Sequence, residues 1–301
     1  MQTQLECLPC FLSQAIRTLR MSGIDDASIE TAIQGVQGTL LAVGREDSPI
    51  EVAERIQQII REVTGRDDIY ADIKTRSNQL VEKLIPRLVE GASRAPDMFE
   101  YMLRCSLAGN LIDYGVYGDP DPELLMKRVV SAPFVDGHHL EDLREKLGQS
   151  RSLAILTDNA GEVVFDRFWL EWVQETYHLD SILIAVRDRP FLNDATLEDA
   201  RHAGLDRVKN AELVAFWPEE RGQKNRYHAT WKRLQAQDLV IAKGQANFEA
   251  LSSESDVFFH FVVKCGQVVS CLGDKTGHDV ELGSFVCWRN PGDRAGAPVQ
   301  I

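Results

Sequence analysis

The sequence predicts an α/β protein in which an amino-terminal all-helical domain packs on a carboxyl-terminal α/β/α domain, whose mostly parallel, Rossmann-like sheet ends in hairpin strands. Two patterns of apolar residues support this prediction. From Leu5 to about Leu147, apolar residues recur three and four positions apart, which is the period of amphipathic helices. After Gly148, short β-branched or aliphatic runs alternate with turns and helical patterns, as in parallel strands joined by crossover helices. The predicted domains are therefore residues 1–147 and residues 148–301.

Five or six helices are expected before residue 118, because local start and stop signals divide the helical half. Ser48 and Pro49 stand where an N-cap and a first helical residue are favoured. Glycines close four of the helical patterns, at Gly23, Gly44, Gly65 and Gly91.

Four strands are predicted in the second half, at residues 153–157, 182–186, 239–242 and 257–263. Helical patterns lie between them at residues 163–177, 197–203 and 225–234. Beyond Lys264 the glycine content indicates short strands that form hairpins, followed by a polar tail at residues 292–301 for which disorder is expected.

Length and charge exclude several classes of protein. A chain of 301 residues is long enough for about two domains with a buried core. It carries 33 basic and 46 acidic side chains, a net charge of -13, so neither nucleic acid nor an anionic membrane is expected as a partner. With 44% hydrophobic and 26% charged residues, the composition is that of an ordinary globular protein. The sequence does not indicate an oligomeric state.

The six cysteines are spread unevenly, unlike the disulfide framework of a small secreted protein, and we interpret them as reduced thiols. Residues 1–14 lack a secretory signal pattern and no apolar run could span a bilayer, so a cytoplasmic protein is expected. Cys7 and Cys10 lie on the predicted first helix. Packing is favoured over metal binding for this pair, and Cys265 and Cys271 are the thiols to test as its partners.

Polar residues follow three of the predicted strands at the point where each strand ends. The carboxyl ends of parallel strands open on one edge of a sheet, so these side chains can converge there. Asp158, Asn159 and Asp194 supply carboxylate and amide oxygens, which suit magnesium or manganese better than zinc. Taken singly, such residues are ordinary helix caps, and it is their shared position that indicates a divalent-metal site.

A phosphate cradle is indicated beside this metal site. Gly161 and Gly244 lie in the first and third turns, where glycine lets backbone amides approach an oxyanion at a helix N-terminus. Lys264 follows an apolar strand and would emerge at the same edge, where its ammonium group could hold a phosphoryl oxygen. Lys243 opens the third turn and Arg187 flanks the second, although each alone is typical of a solvated surface charge.

Four segments, in order and spacing, resemble the metal-dependent damage-control phosphatases, formerly catalogued as domain of unknown function eighty-nine. These segments are DNAGE at 158–162, NDATLEDA at 193–200, KGQANFE at 243–249 and KC at 264–265. Weaker likenesses lie in the helical half, within residues 7–10, 68–78 and 109–113. The likeness covers nearly the whole chain and is greatest to the shorter prokaryotic-type branch with an amino-terminal Cys-x-x-Cys.

The resemblance implies a helical domain packed on an α/β/α domain, and hydrolysis of small phosphorylated metabolites. The matching positions are the metal ligands Asp158, Asn159 and Asp194, the phosphate-cradle residues Gly161, Gly244 and Lys264, and the further binding candidates Asn110, Lys243, Asn247 and Arg187. Arg187 departs from the family pattern, in which a lysine or glycine is expected in the second turn.

The expected mechanism is in-line phosphoryl transfer with a divalent cation, manganese, cobalt, nickel or magnesium, as cofactor. Two nucleophiles stay open, water activated on the metal, which is favoured, and the carboxylate of Asp158. The expected catalytic residues are Asp158, Asp194 and Glu162, the last as a candidate base for water. Sugar phosphates, phosphopantetheine-type compounds and nucleotide-like metabolites are all compatible substrates.

Two other classes of function stay open. A cofactor-binding α/β enzyme such as a methyltransferase could use the turn at residues 158–161, although it would need more glycine there. In a non-catalytic interaction protein, the helical half would be the partner surface.

Overall fold

The computed structural model describes residues 1–44, 46–113, 121–217 and 224–291. The pattern break predicted near residue 118 and the polar tail at residues 292–301 lie outside the described residues. Within them, the helices before the first strand are α1 (Cys7–Ser22), α2 (Asp26–Leu41), α3 (Pro49–Thr64), α4 (Ala71–Glu82), α5 (Ile85–Arg94), α6 (Met98–Gly109), α7 (Pro122–Ser131) and α8 (Leu140–Gln149). Six of these helices end before residue 110, in agreement with the expected five or six.

Strands and helices alternate in the second half, as the sequence predicts. The elements in the described residues are β1 (Ser152–Leu156), α9 (Glu162–Tyr177), β2 (Ser181–Arg187), α10 (Leu197–His202), β3 (Ala211–Phe216), α11 (Lys224–Gln235), β4 (Leu239–Lys243), α12 (Gln245–Leu251), β5 (Val257–Val262), α13 (Gly266–Thr276) and β6 (Phe285–Arg289). The predicted fold class is confirmed.

Local sequence signals explain several helix ends. The Ser48 side chain accepts a hydrogen bond from the Glu51 amide at 3.3 Å, and Glu51 Oε2 accepts one from the Ser48 amide at 3.1 Å, so a capping box opens α3. Gly65 ends α3 in the left-handed conformation. Gly91, expected to end a helix, lies inside α5 instead. Glycine is needed at this position because a Cβ would overlap the Tyr101 hydroxyl.

The strand order β3-β2-β1-β4-β5-β6 determines where the polar turns meet. All neighbouring strands are parallel except β5 and β6, which are antiparallel. The chain builds outward from β1 through β2 to β3 and then returns to place β4 on the other side of β1. In open α/β sheets, ligands bind outside the carboxyl ends of the strands at such a reversal.

Two elements differ from the sequence prediction. β3 was not predicted, because Glu212 and other partly exposed residues interrupt the apolar run of this edge strand. The segment after Lys264 was expected to form short strands, but it forms α13 before the antiparallel β6. Val268 and Leu272 are buried four positions apart, so the helical period determines the structure of this glycine-rich segment.

Two apolar clusters cover the two faces of the sheet, and helices from residues 1–147 contribute to both. Leu153 and Ile155 of β1 belong to the cluster that includes α4 to α8, while Ala154 and Leu156 belong to the cluster that includes α1 to α3. Each cluster contains residues from both sides of the predicted domain boundary between residues 147 and 148, and that boundary falls within the last turn of α8. Helices α1 to α3 thus reach the sheet from the face opposite to α4 to α8.

In the part of the chain that the structure describes, we find no helix with both the length and the apolar character that a membrane span requires.

Candidate active site

A cleft opens at the carboxyl edge of the sheet, where the turns after β1, β2 and β4 meet. One side carries the polar residues Asp113, Asp158, Asn159, Asp194 and Lys264. The opposite wall includes residues of α1 and α3, among them Cys10, Phe11, Gln14, Ile50 and Ala53. Four residues predicted from the sequence, Asp158, Asn159, Asp194 and Lys264, therefore line one cleft.

Asp158 follows β1 and is held by two asparagine amides. Its Oδ2 accepts hydrogen bonds from Asn110 Nδ2 at 2.8 Å and from Asn159 Nδ2 at 2.7 Å. Its side chain lines the cleft although the residue is only 5% exposed. Among the described residues no group donates to the second oxygen, Oδ1, which leaves that oxygen available to a ligand in the cleft.

Asp194 is tied to the same turn through the backbone. Asn159 and Asp194 form an antiparallel bridge, and the amide of Ala195 donates to the carbonyl of Asp158 at 2.8 Å. Arg187 Nε donates to Asp194 Oδ2 at 2.6 Å, and the guanidinium lies 5.1 Å from the centre of the Trp217 ring. Arg187 is 3% exposed and is absent from the cleft lining, so it orients Asp194 rather than meeting a substrate directly.

Lys264 lies in the cleft with its Nζ 2.7 Å from Asp113 Oδ2. Burial alone would lower the pKa of this lysine, but the carboxylates of Asp113 and Asp158 outweigh burial and raise it. The lysine therefore stays charged at neutral pH. Asp113 was noted from the sequence only as a weak likeness, and its position beside Lys264 comes from the tertiary structure.

The carboxyl groups of the cleft repel one another. Burial raises the pKa of Asp158 well above its usual value, and the nearby charges of Asp194 and Glu162 raise it further while Lys264 opposes them. Burial also raises the pKa of Asp194, against the opposing effect of Arg187. A cation between these groups would relieve this repulsion, because an added positive charge favours both ionised forms.

The donor set at the head of the cleft suits a hard divalent cation. Asp158 Oδ1, Asp194 Oδ1 and Asn159 Oδ1 accept no hydrogen bond from the residues that the structure describes. Two carboxylates and an amide oxygen match the ligands of magnesium or manganese. Within the described ranges, however, no three His, Cys, Asp or Glu side chains are grouped as a metal site, so the fit depends on the asparagine oxygen.

The two glycines provide space rather than free amides. The amide of Gly161 donates to Asn78 Oδ1 at 2.6 Å, and a Cβ at Gly161 would lie 2.9 Å from Ser77 Cβ. The amide of Gly244 donates to the carbonyl of His260 at 3.0 Å. Both glycines have φ of +83°, so each turn needs glycine for its backbone conformation. The amides of Gly161 and Gly244 therefore already have protein acceptors, and a phosphate cradle at these two turns stays a prediction.

Three further candidates lie behind the cleft. Lys243 is fully buried and contacts Glu162, Asp166 and Ser106, because β4 extends to residue 243 and the lysine points into the sheet face. Glu162 is also fully buried and is absent from the cleft lining, so it does not meet a water there as a base. Asn247 donates to the carbonyls of Thr157 and Lys243 at 3.1 and 2.7 Å, and it joins the turns after β1 and β4.

Asn110 does not line the cleft but connects three elements. Besides its contact with Asp158, its Nδ2 donates to Glu162 Oε2 at 2.9 Å, and its Oδ1 accepts from the Val262 amide at 3.0 Å. The expectation that Asn110 faces a substrate is therefore replaced by a structural role at the end of α6, directly behind Asp158.

Two residues of α4 bind the helical half to the turns of the sheet, and in the sequence they belong only to the weaker family likeness at residues 68–78. Lys74 is 2% exposed and lies 2.6 Å from Asp68 and 2.7 Å from Asp199. Asn78, one turn further along α4, donates to the carbonyl of Asp199 at 3.3 Å and accepts from the Gly161 amide. A polar period within α4 was the signal that could have identified them.

The cysteine pair of α1 lies beside the cleft. Burial raises the pKa of Cys10, and the proximity of Cys265 raises it further. All six cysteines are free thiols in the structure. The described residues give these thiols no metal-like grouping.

Comparison with known proteins identifies relatives over most of the chain. Residues 3–280 match the model of the damage-control phosphatase ARMT1-like domain. A damage-control phosphatase of Archaeoglobus fulgidus is 32% identical over 203 residues, which are 64% of this chain and 67% of the relative. A damage-control phosphatase of Pyrococcus horikoshii is 30% identical over 200 residues, 64% of this chain and 65% of the relative. These alignments thus span about two thirds of each relative's length.

A solved structure has the same fold. The crystal structure of a DUF89 family protein from Pyrococcus horikoshii superposes with a TM-score of 0.79 at 27% identity. The superposition covers 96% of this chain and 99% of the other.

Proposed function

The chain belongs to the damage-control phosphatase ARMT1-like domain family, and we propose that it is a metal-dependent phosphatase that hydrolyses small phosphorylated metabolites. One observation supports the proposal most directly. The buried carboxyls of Asp158 and Asp194 each keep one oxygen without a described protein partner, in a cleft that also holds the charged Lys264. Paired carboxylates beside a lysine suit a divalent cation and a phosphoryl group together.

Asp158, Asn159 and Asp194 would hold the cation, with manganese, cobalt, nickel and magnesium as the candidates. A divalent cation bound there would polarise the phosphoryl group and neutralise charge on the leaving oxygen. Arg187 supports this arrangement because it fixes Asp194 Oδ2 and leaves Oδ1 for the cleft.

Lys264 is the proposed phosphate ligand. Its Nζ is in the cleft, and Asp113 orients it at 2.7 Å without removing its charge. The three ammonium protons allow it to donate to Asp113 and to a phosphoryl oxygen at the same time. The phosphate would therefore be held by a side chain, since the amides of Gly161 and Gly244 already have protein acceptors.

Water is the favoured nucleophile. Asp158 Oδ2 already accepts two amide hydrogen bonds, and its Oδ1 cannot serve as a cation ligand and as the attacking atom in the same step. A phosphoaspartate trapped at residue 158 in a quenched reaction would contradict this assignment.

The wall formed by α1 and α3 would contact the leaving group. Phe11, Ile50 and Ala53 make this wall largely apolar, Gln14 adds a polar group, and Phe191 from the turn after β2 adds a further apolar side chain to the cleft. Sugar phosphates, phosphopantetheine-type compounds and nucleotide-like metabolites stay candidates, and the apolar wall favours substrates with an apolar portion next to the phosphate.

The proposal is tested by hydrolysis of an aryl phosphate with metal-stripped protein, to which manganese, magnesium, cobalt and nickel are restored one at a time. We expect activity that requires the cation and is lost in Asp158→Ala. Asp206→Ala, which removes an exposed carboxyl that does not line the cleft, is the control and should stay active. Calorimetry that detects no bound cation would overturn the metal site, and inactivity on a broad panel of phosphate esters with each cation would overturn the phosphatase assignment.

A further inference from the structure

Lys243 is a charged residue with no access to the cleft or to solvent. Its Nζ lies 2.8 Å from Glu162 Oε1, 2.6 Å from Asp166 Oδ1 and 2.7 Å from Ser106 Oγ, and it also donates to the Ser106 carbonyl at 3.0 Å. Lys243, Glu162 and Asp166 are all 0% exposed. A buried lysine with two carboxylates costs desolvation energy, so this cluster calls for an explanation beyond stability.

The other oxygen of Glu162 faces the asparagines behind the proposed cation site. Glu162 Oε2 accepts from Asn110 Nδ2 at 2.9 Å and from Asn159 Nδ2 at 3.3 Å. The same two amide groups donate to Asp158 Oδ2 at 2.8 and 2.7 Å. Each amide nitrogen therefore lies between two carboxylates.

This arrangement allows only one orientation of each amide. A carboxylate only accepts hydrogen bonds, so an Asn159 turned by 180° would place its oxygen against both carboxylates. A turned Asn110 would do the same and would also set its NH₂ against the Val262 amide. With the nitrogens held in this way, Asn159 Oδ1 is the atom left for a cation.

We propose that Lys243 and Glu162 are positioning residues that determine the orientation of the Asn110 and Asn159 side-chain amides, and thereby present the oxygen of Asn159 to the cation. The part concerning the cation rests on the proposed function, while the orientation of the amides does not. Glu162 is assigned as an acceptor for the asparagines, and Lys243 as the charge that keeps this acceptor in the protein interior.

The substitution Glu162→Gln tests the proposal because Lys243 determines which way the new amide points. The ammonium charge of Lys243 lies 2.8 Å from the Oε1 position and repels an NH₂ group there, so the introduced glutamine would direct its oxygen to the lysine and its NH₂ to the asparagines. The NH₂ group of the glutamine would then face the NH₂ groups of Asn110 and Asn159, and no hydrogen bond could form between them. We expect manganese affinity, measured by calorimetry, to fall by about tenfold or more, as is usual when a group supporting a metal ligand is lost.

A second readout needs no metal. In the metal-free protein, the side-chain NH₂ protons of Asn110 and Asn159 should exchange slowly with solvent, as followed by NMR, because both are buried and bonded to carboxylates. Faster exchange and shifted NH₂ signals are expected in Glu162→Gln.

Asp166→Asn is the matched control. It removes the same charge beside the same lysine, and its described partners are Lys243 and Ser106 rather than either asparagine. Its manganese affinity and asparagine NH₂ signals should stay close to those of the parent protein. Loss of affinity in Asp166→Asn equal to that in Glu162→Gln would show that charge alone matters and would overturn the proposal.

The triple variant Glu162→Gln, Lys243→Met and Asp166→Asn removes the three charges of the cluster together, and it covers the case in which the single variant does not fold. Without the lysine, the introduced glutamine is free to turn its oxygen toward the asparagines, and neither an unpaired lysine nor an unpaired Asp166 carboxylate is left in the interior. We expect manganese affinity within about threefold of the parent protein and slow NH₂ exchange to return.

Two results would overturn the proposal. One is amide exchange and manganese affinity in a folded Glu162→Gln that equal those of the parent protein, and the other is a folded triple variant without recovery. If the parent protein binds none of the four cations, the metal part of the proposed function fails, and the NH₂ exchange still decides whether Glu162 orients the asparagines.

Discussion

The carboxyl group of Asp158 occupies the space that a Cβ of residue 244 would fill. β1 and β4 are neighbours, so the turn after one strand passes directly over the turn after the other. The glycine at 244 thus admits the proposed cation ligand between two strand ends.

Gly244→Ala should therefore displace Asp158 and abolish cation binding and phosphatase activity. Gly244 has φ of +83° and ψ of 153°, a conformation essentially restricted to glycine, so the variant also loses about 1–3 kcal/mol of stability from backbone strain alone. Gly277→Ala is the control for a strained glycine position, because Gly277 has the left-handed φ of +72° and a Cβ added there would meet no atom within 4 Å. We expect both variants to lose stability in urea denaturation, with the larger loss in Gly244→Ala, and only Gly244→Ala to lose manganese in calorimetry. Retained binding in Gly244→Ala would contradict the steric argument.

Arg187→Met should destabilise the protein at neutral pH. It leaves the carboxyl of Asp194 buried without its cation, for which the usual cost is about 3–5 kcal/mol. Arg189→Met is the control, since Arg189 also lies over Trp217, at 4.4 Å, but is 33% exposed. Urea denaturation of both variants gives the comparison, and equal losses would mean that stacking on Trp217, and not the Asp194 pair, stabilises this turn.

Acid should destabilise the fold through His260. Burial lowers the pKa of this histidine well below its usual value, with a further contribution from the charge of Lys243, so the folded state favours the neutral ring. The unfolded chain binds the proton first as pH falls below about 6.5, and stability is therefore lost from that point downward, by at most about 1.4 kcal/mol per pH unit.

His260→Phe removes this contribution. As pH is lowered from 7 to about 5, the unfolding free energy of the parent should fall by more than that of His260→Phe. His202→Gln, at an exposed position, is the control for removal of a histidine. A parent and a His260→Phe variant with parallel pH profiles would show that His260 is protonated equally in both states.

Phe11→Ala should weaken binding of the leaving group and spare the phosphate site. Phe11 lies on the wall opposite Asp158, in the cleft that both residues line. We expect KM for an aryl phosphate to rise several-fold while inhibition by inorganic phosphate stays unchanged, because phosphate alone does not reach this wall. A parallel loss of phosphate inhibition would indicate that the substitution disturbs the whole cleft.

The candidate ligands were predictable because they depend on local sequence. A polar residue that directly follows a buried strand must emerge at the edge of the sheet, and this placed Asp158, Asn159 and Asp194 correctly at one cleft. Lys264 follows the same reasoning after β5.

The positions of Lys243 and Glu162, by contrast, could not be predicted from local sequence. The predicted strand stopped at residue 242, whereas β4 includes Lys243 and turns its side chain into the sheet face that α6 and α9 cover. A charged residue after an apolar run is usually solvated, and only the carboxylates of α9, distant in sequence, make its burial possible.

Periodicity and turn chemistry act over a few residues, and they are therefore enough to predict the alternation of elements, the parallel sheet and the polar strand ends. The tertiary structure decided which face of the sheet each helix covers, that Gly161 and Gly244 provide space for neighbours, and that Asn110 lies behind Asp158. Periodicity shows that a residue is buried, but its partner depends on how distant segments pack.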